Sequence, residues 1–405
     1  MHILLIHQVF ATLDEAGGTR HHEFARYLVE HGHRVTVITS PISYLSGAPL
    51  HPREVGSTGS GADGEVRVIH ARTYTRLHKS FIHRALFFMS FMFSSLAAGL
   101  RVREVDVVWG SSPPIFQAAT AWVVARLMGV PFFFEVRDLW PKFAIAVGVL
   151  RSKLLIRLSL WLEKFLYRQA DRLIVNSPGY VAHVLRRGAR QVEVIPNSAD
   201  PAMFHPEDDG AAFREAHGLT GKFVVMYAGA HGMSNDLGVV LEAARILQGR
   251  KSMVQVVLLG DGKEKPRLVQ QAVEMQLENV LFLPPVPKSE MAGALAGADA
   301  CLGILKPVEE YKTTYPNKVF DYMAAGRPVV LAIDGVIRKV VEAAGSGIFS
   351  PPGEAGALAE AIIQLANDPA KSRSMGLAGR KYLEEHFDRE KMAAKLMGIL
   401  EGMKR

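Results

Sequence analysis

A short block over residues 315–330 carries the residue types with the most specific chemistry in this sequence. Pro316, Asn317 and Lys318 end a loop and lead into a predicted helix, and Asp321 lies one turn inside it. Free N–H groups at a helix N-terminus and a lysine amine both attract anions, so this arrangement suits a diphosphate. Asp321 is suited to accept hydrogen bonds from a ribose diol. A plain solvent-exposed helix face explains Lys318 and Asp321 equally well.

A second charged group, over residues 135–141, closes a predicted buried strand. Arg137 is suited to pair with a phosphate, and Asp138 to orient an attacking hydroxyl. The alternative is an internal pair of Arg137 with Asp138 or Glu135 that only fixes the loop. Because charges at the end of an apolar strand are costly unless they are used, the functional interpretation is favoured. Trp140 is interpreted as a packing residue.

A glycine pair, Gly17 and Gly18, follows the first predicted strand and precedes a helix. Paired glycines let a backbone approach a phosphate or a sugar closely, although an ordinary turn uses the same residues. A GxGxxG fingerprint is absent here, which counts against a dinucleotide-dependent enzyme.

The fifteen histidines show no metal-ligand spacing, so no metal is predicted.

The composition is globular and the charge is uneven. The 405 residues suit two domains, and the single cysteine, Cys301, excludes an internal disulfide framework and fits a reducing, cytoplasmic setting. Residues 1–200 hold 23 Lys and Arg against 15 Asp and Glu, whereas residues 201–405 hold 24 against 25. A basic first half favours an anionic partner such as lipid headgroups, with solvated lysines as the alternative. Nucleic acid is not predicted, because no recognition motif accompanies the basic residues.

Short apolar runs alternate with amphipathic stretches in both halves of the chain, which predicts doubly wound parallel sheets. The start of the chain reads as a buried strand, not as a leader peptide. The predicted strands are Ile3–His7, Val35–Thr39, Val66–His70, Val105–Trp109, Phe132–Val136, Leu173–Asn176, Val192–Ile195, Phe223–Tyr227, Val254–Leu259, Val280–Leu283, Ala300–Ile304 and Val329–Ala332. Gly56–Gly64 reads as a loop and Pro196–Pro206 as a linker. We therefore expect an N-terminal domain over residues 1–198 and a C-terminal domain over 199–387, with a last helix over 388–405 that packs back on the first.

The stretch Phe81–Leu100 resembles a membrane element, but its uninterrupted apolar part is too short for a spanning helix. Basic residues flank it, which suits an interfacial helix on anionic lipid. These residues are Arg72, Arg76, Lys79, Arg84, Arg101 and Arg103. A buried crossover helix with charged ends is nearly as well supported.

The order and spacing of several short motifs resemble the retaining, metal-independent family-4 glycosyltransferases. The resemblance covers nearly the whole chain and is greatest to bacterial N-acetylaminosugar transferases of surface-polysaccharide assembly. The motifs are Gly17-Gly18, His31–Val37, Gly110–Pro114, Phe134–Pro141, Val194–Asn197, Ala228-Gly229, Leu259–Gly262 and Pro316–Val330. The family's fold is GT-B, two Rossmann-like domains facing across a cleft.

The resemblance implies a nucleotide-sugar donor, by inheritance UDP-linked, and catalytic roles for Arg137, Asp138 and Lys318. It also implies a set of donor-binding positions: Gly17, Gly18, Gly229, His231, Gly260, Lys263, Tyr315, Asn317 and Asp321. Asp321 falls where the family has the second glutamate of its paired-acid motif.

Three departures from the family pattern affect the donor site. Thr313 replaces the first glutamate, and Pro316 removes one backbone N–H from the loop. The stretch Gly229–Leu237 lacks the usual Arg and Lys that neutralise the diphosphate. Lys318 is the first choice to replace them, with His231 or Lys263 as further candidates, because the leaving diphosphate needs electrostatic stabilisation.

The expected reaction is transfer, with retention, from a UDP-sugar to a polyprenyl-diphosphate-linked saccharide at the inner face of the cytoplasmic membrane. No resident cofactor or metal is expected. A UDP-sugar 2-epimerase of the same architecture is the alternative enzyme, and a degenerate nucleotide-sugar-binding protein is the alternative without turnover.

Overall fold

The computed structural model describes residues 1–42, 66–75 and 81–404, which divide into two compact units. Met1–Thr12, Gly18–Pro196 and Glu390–Arg405 form the first unit. Leu13–Gly17 and Asn197–Arg389 form the second. The chain thus passes from one unit to the other between Pro196 and Asn197, inside the predicted linker, and its last residues belong to the first unit.

The first unit contains a parallel sheet of seven strands in the order β3-β2-β1-β4-β5-β6-β7. The strands are β1 (His2–Ile6), β2 (Arg34–Thr39), β3 (Arg67–His70), β4 (Val107–Ser112), β5 (Phe132–Val136), β6 (Arg172–Val175) and β7 (Val192–Val194). The helices between them are α1 (Arg20–Glu30), α2 (Phe81–Gly99), α3 (Ile115–Met128), α4 (Lys142–Ala146), α5 (Lys153–Gln169) and α6 (Val181–Arg186).

The second unit repeats this design with a parallel sheet in the order β10-β9-β8-β11-β12-β13. The strands are β8 (Phe223–Ala228), β9 (Val254–Leu259), β10 (Val280–Leu283), β11 (Ala300–Ile304), β12 (Val329–Ala332) and β13 (Gly347–Phe349). The helices are α7 (Ala211–Ala216), α8 (Leu237–Gly249), α9 (Lys265–Glu274), α10 (Met291–Ala296), α11 (Asn317–Ala324), α12 (Val336–Ala343), α13 (Ala355–Asn367) and α14 (Pro369–His386). A final helix, α15 (Arg389–Glu401), follows.

Alternating side chains of each strand build a core on either face of its sheet, as the period of two requires. In β1, Leu4 and Ile6 pack into the cluster that holds residues of α3 and α5, whereas Ile3 and Leu5 pack into the cluster of α1 and α15. Both strand orders reverse next to the first strand of their unit, which is the doubly wound Rossmann arrangement. The prediction of two doubly wound α/β units is confirmed.

The predicted membrane-like stretch forms α2. Phe87 and Phe91 are fully buried in the core, while Phe93 keeps 61% of its surface exposed. The helix is therefore at least in part the buried crossover helix that was the alternative. No helix in the described ranges combines the length and apolarity needed to cross a bilayer. Some of the predictions fall on parts of the chain outside the described residues. These are the predicted loop Gly56–Gly64, the basic residues Arg76 and Lys79, and the side chain of Arg84.

Candidate functional site

Two glycines at the carboxyl ends of β8 and β9 lie in direct contact. Gly229 and Gly260 have φ values of 146° and 145°, a conformation that L side chains rarely adopt. A Cβ at Gly260 would lie 1.9 Å from the carbonyl oxygen of Gly229. Only glycine fits here, and the two strand-end loops come together where a Rossmann sheet binds its ligand.

His231 is held beneath this pair of loops. Its backbone N–H donates to the carbonyl of Asp261 at 2.8 Å, and its side chain is fully buried. Neither ring nitrogen has a hydrogen-bond partner among the described residues. Burial, together with the positive charges of Lys265 and Lys318, lowers the pKa of His231 to about 4. The ring is therefore neutral at pH 7 and has no charge to offer a diphosphate.

Lys318, in the first turn of α11, extends across the face of the same loops. Its Nζ donates to the hydroxyl of Tyr227 at 2.5 Å and lies 3.7 Å from the centre of that ring. A Cβ on Gly229 would be only 2.9 Å from Nζ, so the missing side chain makes room for the amine. Burial lowers the pKa of Lys318 to about 7. We call Gly229, Gly260, Tyr227 and Lys318 the glycine–lysine cluster.

Asp321 lies one turn further along α11 and is already paired. Its Oδ1 accepts a hydrogen bond from Nζ of Lys288, in the loop after β10, at 2.6 Å. Both side chains are largely shielded, with 19% and 10% of their surface exposed. Neither Lys318 nor Asp321 therefore lies on a plain exposed helix face. One carboxylate oxygen of Asp321 holds Lys288 in place.

Two further predicted donor residues, Tyr315 and Asn317, lie just before Lys318 in the chain. Tyr315 is a core residue whose ring packs against Phe320 and Phe387, and its backbone carbonyl accepts a hydrogen bond from the side-chain amide of Asn197 at 2.6 Å. Asn317 is exposed at the start of α11.

Gly17 and Gly18 are exposed, and a Cβ on Gly18 would meet nothing within 4 Å. The loop before α1 therefore does not need a glycine at position 18 for packing.

Lys263 is exposed, and the lysine that reaches the strand ends is Lys265. Its Nζ donates to the carbonyl of Gly260 at 2.7 Å and to that of Leu283 at 2.9 Å. Lys265 thus ties the loop after β9 to the end of β10. The sequence has two lysines separated by a single residue, and the start of α9 at Lys265 decides which of them reaches the strand ends.

A buried polar group lies at the carboxyl ends of β1, β4 and β5 in the first unit. Glu135 is inaccessible to solvent and accepts hydrogen bonds from Nε of Arg20 at 2.8 Å and Nε2 of His21 at 2.6 Å. Burial opposes the charge of Glu135, but His21 and Arg20 outweigh it and hold the pKa of Glu135 far below its ordinary range. Each carboxylate oxygen of Glu135 thus meets one of these two partners, and Arg137 acts on Glu135 through its charge, without an ion pair among the described contacts.

His7 and His21 stack at this site with their ring centres 4.0 Å apart. His7 shares a hydrogen bond with the hydroxyl of Ser111 at 2.8 Å. Burial lowers the pKa of His21 to about 4, although Glu135 opposes that shift. Both rings therefore act as neutral, packed groups at neutral pH, and neither was singled out from the sequence.

Arg137 and Asp138 follow β5 beside this group. The guanidinium of Arg137 donates to the carbonyl of Pro113 at 3.2 Å, and its buried Nε has no partner within the described residues. Burial raises the pKa of Asp138 to about 6, against the effects of Arg137 and of a hydrogen bond from Tyr180. An arginine with unused N–H groups beside a carboxylate is suited to bind an anionic or hydroxyl-bearing ligand.

Comparison with known families assigns both units. The model of a glycosyl transferase 4-like domain matches residues 16–198, and that of glycosyl transferases group 1 matches residues 222–368. The chain belongs to the two-domain glycosyltransferases. Among the described residues of this glycosyltransferase, no three His, Cys, Asp or Glu side chains gather as metal ligands would.

Several known glycosyltransferases are similar to this chain. A putative colanic acid biosynthesis glycosyl transferase, WcaI, of Escherichia coli K12 is 24% identical over 94% of this chain and 95% of its own. A D-inositol 3-phosphate glycosyltransferase of Nocardia farcinica is 28% identical, but the match spans 53% of this chain and only 49% of that protein. The structure of Anabaena HepE in complex with UDP-glucose superposes with a TM-score of 0.75 over 99% of this chain and all of that one, at 17% identity. That structural likeness concerns the fold.

Proposed function

We propose that this glycosyltransferase transfers a sugar, an N-acetylated aminosugar, from a UDP-sugar to a lipid-linked saccharide of a cell-surface polysaccharide or O-antigen. The glycine–lysine cluster is the observation that carries the proposal. It presents an amine and open backbone at the carboxyl ends of parallel strands, where a diphosphate is bound in sheets of this kind.

On the donor side, Lys318 meets the diphosphate and the second oxygen of Asp321 accepts a hydrogen bond from the ribose. Lys318 has one hydrogen-bond partner in the described part of the chain, the Tyr227 hydroxyl, so N–H groups are left for phosphate oxygens. HepE, whose fold this chain shares, was crystallised with UDP-glucose, and this supports a UDP-linked donor.

On the acceptor side, Arg137 pairs with a phosphate of the acceptor or donor, and Asp138 orients the attacking hydroxyl. The unpartnered Nε of Arg137 and the raised pKa of Asp138 fit these roles, because ligand-binding sites often hold groups with such unused N–H donors and shifted pKa values. A diphosphate-linked saccharide provides both an anion and a hydroxyl.

The reaction proceeds with retention and needs no metal. The acceptor hydroxyl oxygen bonds to the anomeric carbon on the face from which the diphosphate oxygen departs. The bond between that carbon and the diphosphate breaks, and the hydroxyl proton passes to the departing oxygen. Lys318 stabilises the charge that develops on UDP.

The acceptor class and the location follow from charge and from relatives. The basic half of the chain, residues 1–200, suits an anionic membrane surface, at which a lipid-linked acceptor is presented. One relative that matches over 94% of the chain is a putative colanic acid biosynthesis glycosyl transferase. We therefore place the protein in the cytoplasm, peripherally bound to the inner face of the cytoplasmic membrane.

A nucleotide-release assay with chelator tests this function. UDP-GlcNAc, UDP-GalNAc and UDP-linked N-acetylated deoxysugars are each offered with a polyprenyl-diphosphate sugar. We expect acceptor-dependent UDP release from one donor. The rate of this release should be at least a hundredfold lower in Lys318→Ala. The control variant Lys263→Ala, which replaces an exposed lysine, should retain the rate of the unchanged protein. Conversion of a UDP-sugar without acceptor would indicate the 2-epimerase. UDP binding without turnover of any donor would indicate a degenerate site.

A further inference from the structure

An exposed apolar stripe runs along α5 in the first unit. Leu154, Leu158 and Trp161 expose 66%, 53% and 63% of their surface. Their spacing of four and three residues places them on one side of the helix. Isolated exposed apolar residues are ordinary, but three large ones on one helical line form a surface that calls for a partner.

The opposite side of α5 anchors the helix to the protein. Leu166 and Tyr167 are buried in the core. Phe165 lies on the stripe side, one turn after Trp161, where it stacks on Trp161 and packs edge-on against Trp122 of α3. The buried carboxylate of Glu163 pairs with His183 and Arg187, both at 2.8 Å. These contacts lie in the second half of the helix. In residues 153–158 all but Ile156 are exposed, so the first turns of α5 stand out from the unit.

Basic side chains form a single flank beside the stripe. Lys153, Arg157, Lys164 and Arg168 are all exposed, and their spacing of four, seven and four residues aligns them along one side of the helix. The one acid of α5, Glu163, is buried and paired. The solvent-facing charge of the helix is therefore entirely positive.

We propose that α5 is the element that docks this protein on an anionic lipid bilayer. An apolar stripe that contains a tryptophan and has a basic flank has the chemistry of an interfacial helix: the stripe enters the acyl boundary, while the lysine and arginine heads contact lipid phosphates. A second copy of the same face is disfavoured, because pairing would bring two positive flanks together. This inference rests on the proposed function and assigns its membrane contact to α5, a helix that sequence reasoning did not single out.

Flotation of the full-length protein with vesicles tests the assignment. The vesicles are phosphatidylcholine alone or phosphatidylcholine mixed with phosphatidylglycerol, at low and high salt. We expect salt-sensitive binding to the anionic vesicles only. Leu154→Ser/Leu158→Ser/Trp161→Ser should lower the vesicle partition coefficient at least tenfold, and Arg157→Glu/Lys164→Glu should do the same.

Matched variants on α2 provide the control. Phe93→Ser removes an equally exposed aromatic side chain, and Arg101→Glu/Arg103→Glu reverses two exposed charges after that helix. Both should float like the unchanged protein. Loss of flotation in the α2 variants but not in the α5 variants would overturn the proposal. So would gel filtration showing that the unchanged chain is a dimer and the triple α5 variant a monomer.

Membrane docking and sugar transfer are separable in these measurements. UDP release with a short, water-soluble acceptor and no vesicles should be the same in the triple α5 variant and the unchanged protein. If no donor and acceptor pair gives UDP release, the proposed function fails, but the flotation result still decides the role of α5.

Discussion

Lys318 is a cationic residue that the fold holds in surroundings that disfavour its charge. The amine has one hydroxyl partner and an aromatic ring but no carboxylate within salt-bridge distance among the described residues. Its pKa of about 7 means that the charge is only half developed at neutral pH. In the proposed function an anionic ligand would supply the missing counter-charge, which would couple ligand binding to protonation of Lys318.

The affinity for UDP should therefore depend on pH. Charged Lys318 falls from half of the molecules at pH 7 to about a tenth at pH 8, so UDP affinity should fall about fivefold between these values. The neighbouring His231, with a pKa of about 4, stays neutral throughout this window. Isothermal titration at several pH values measures the slope. Lys318→Arg keeps its charge and should bind with a flat profile, whereas a flat profile in the unchanged protein would contradict the coupling.

In the first unit, Arg20 and Glu135 form a buried ion pair. Arg20 also donates to the carbonyls of Ile195 and Pro196, both at 2.7 Å, so it joins α1 to the ends of β5 and β7. Removing one partner of a buried pair leaves an uncompensated charge. Arg20→Met should lower the free energy of unfolding by about 3–5 kcal/mol.

The exposed pair of Arg26 and Glu30 provides the control for this change. Arg26 exposes 57% of its side chain, and Arg26→Met should cost less than about 1 kcal/mol. Denaturant titration of both variants gives the comparison. Equal losses in the two would show that Glu135 does not depend on Arg20.

At the scale of elements, buried apolar runs predicted the sheets well because a parallel strand covered on both faces needs such a run. The strands β5 (Phe132–Val136) and β9 (Val254–Leu259) have the bounds that the sequence predicted. β13 was missed because Gly347–Phe349 is only three residues long and follows a glycine-serine turn. β4 lies further along than predicted, at Val107–Ser112, because Gly-Ser-Ser reads as a loop although sheet pairing keeps it extended.

The geometry of the candidate site was predictable where its residues are close in sequence and not where the fold brings distant residues together. The glycines and Lys318 were predicted as site residues because short sequence motifs contain them. Lys288 meets Asp321 from 33 positions away, and Lys265 meets Leu283 from 18. No local pattern encodes such contacts, and none reveals that His231 is fully buried.

The contact between the loops after β8 and β9 can be tested by a substitution that separates these loops. Gly260→Ala places a methyl group against the carbonyl of Gly229 and imposes a strained φ, so the loops must separate. We expect at least a tenfold loss of UDP affinity and a destabilisation of about 2–3 kcal/mol. Gly238→Ala, in α8 with nothing within 4 Å of its Cβ, should bind UDP normally and be equally or more stable. Normal UDP binding by Gly260→Ala would rule out this contact as a donor site.

At the scale of the whole molecule, the first unit is assembled from both ends of the chain. Residues 390–405 belong to it, and Leu396 and Leu400 of α15 are fully buried against Phe24 and Leu28 of α1. A unit whose core needs the last helix cannot complete its folding until the second unit has been synthesised. The four tryptophans, Trp109, Trp122, Trp140 and Trp161, all lie in the first unit, so tryptophan fluorescence reports its unfolding alone.

Leu396→Ala should therefore shift the unfolding transition that tryptophan fluorescence reports, although position 396 follows the whole second unit in the sequence. A large-to-small change at a fully buried leucine costs about 2–5 kcal/mol. Ala394→Ser, on the exposed side of α15, is the control and should change little. Since α15 contributes its core to the first unit, UDP affinity of the second unit should be unchanged in Leu396→Ala under native conditions. A fluorescence transition that does not move would mean that the first unit folds without α15.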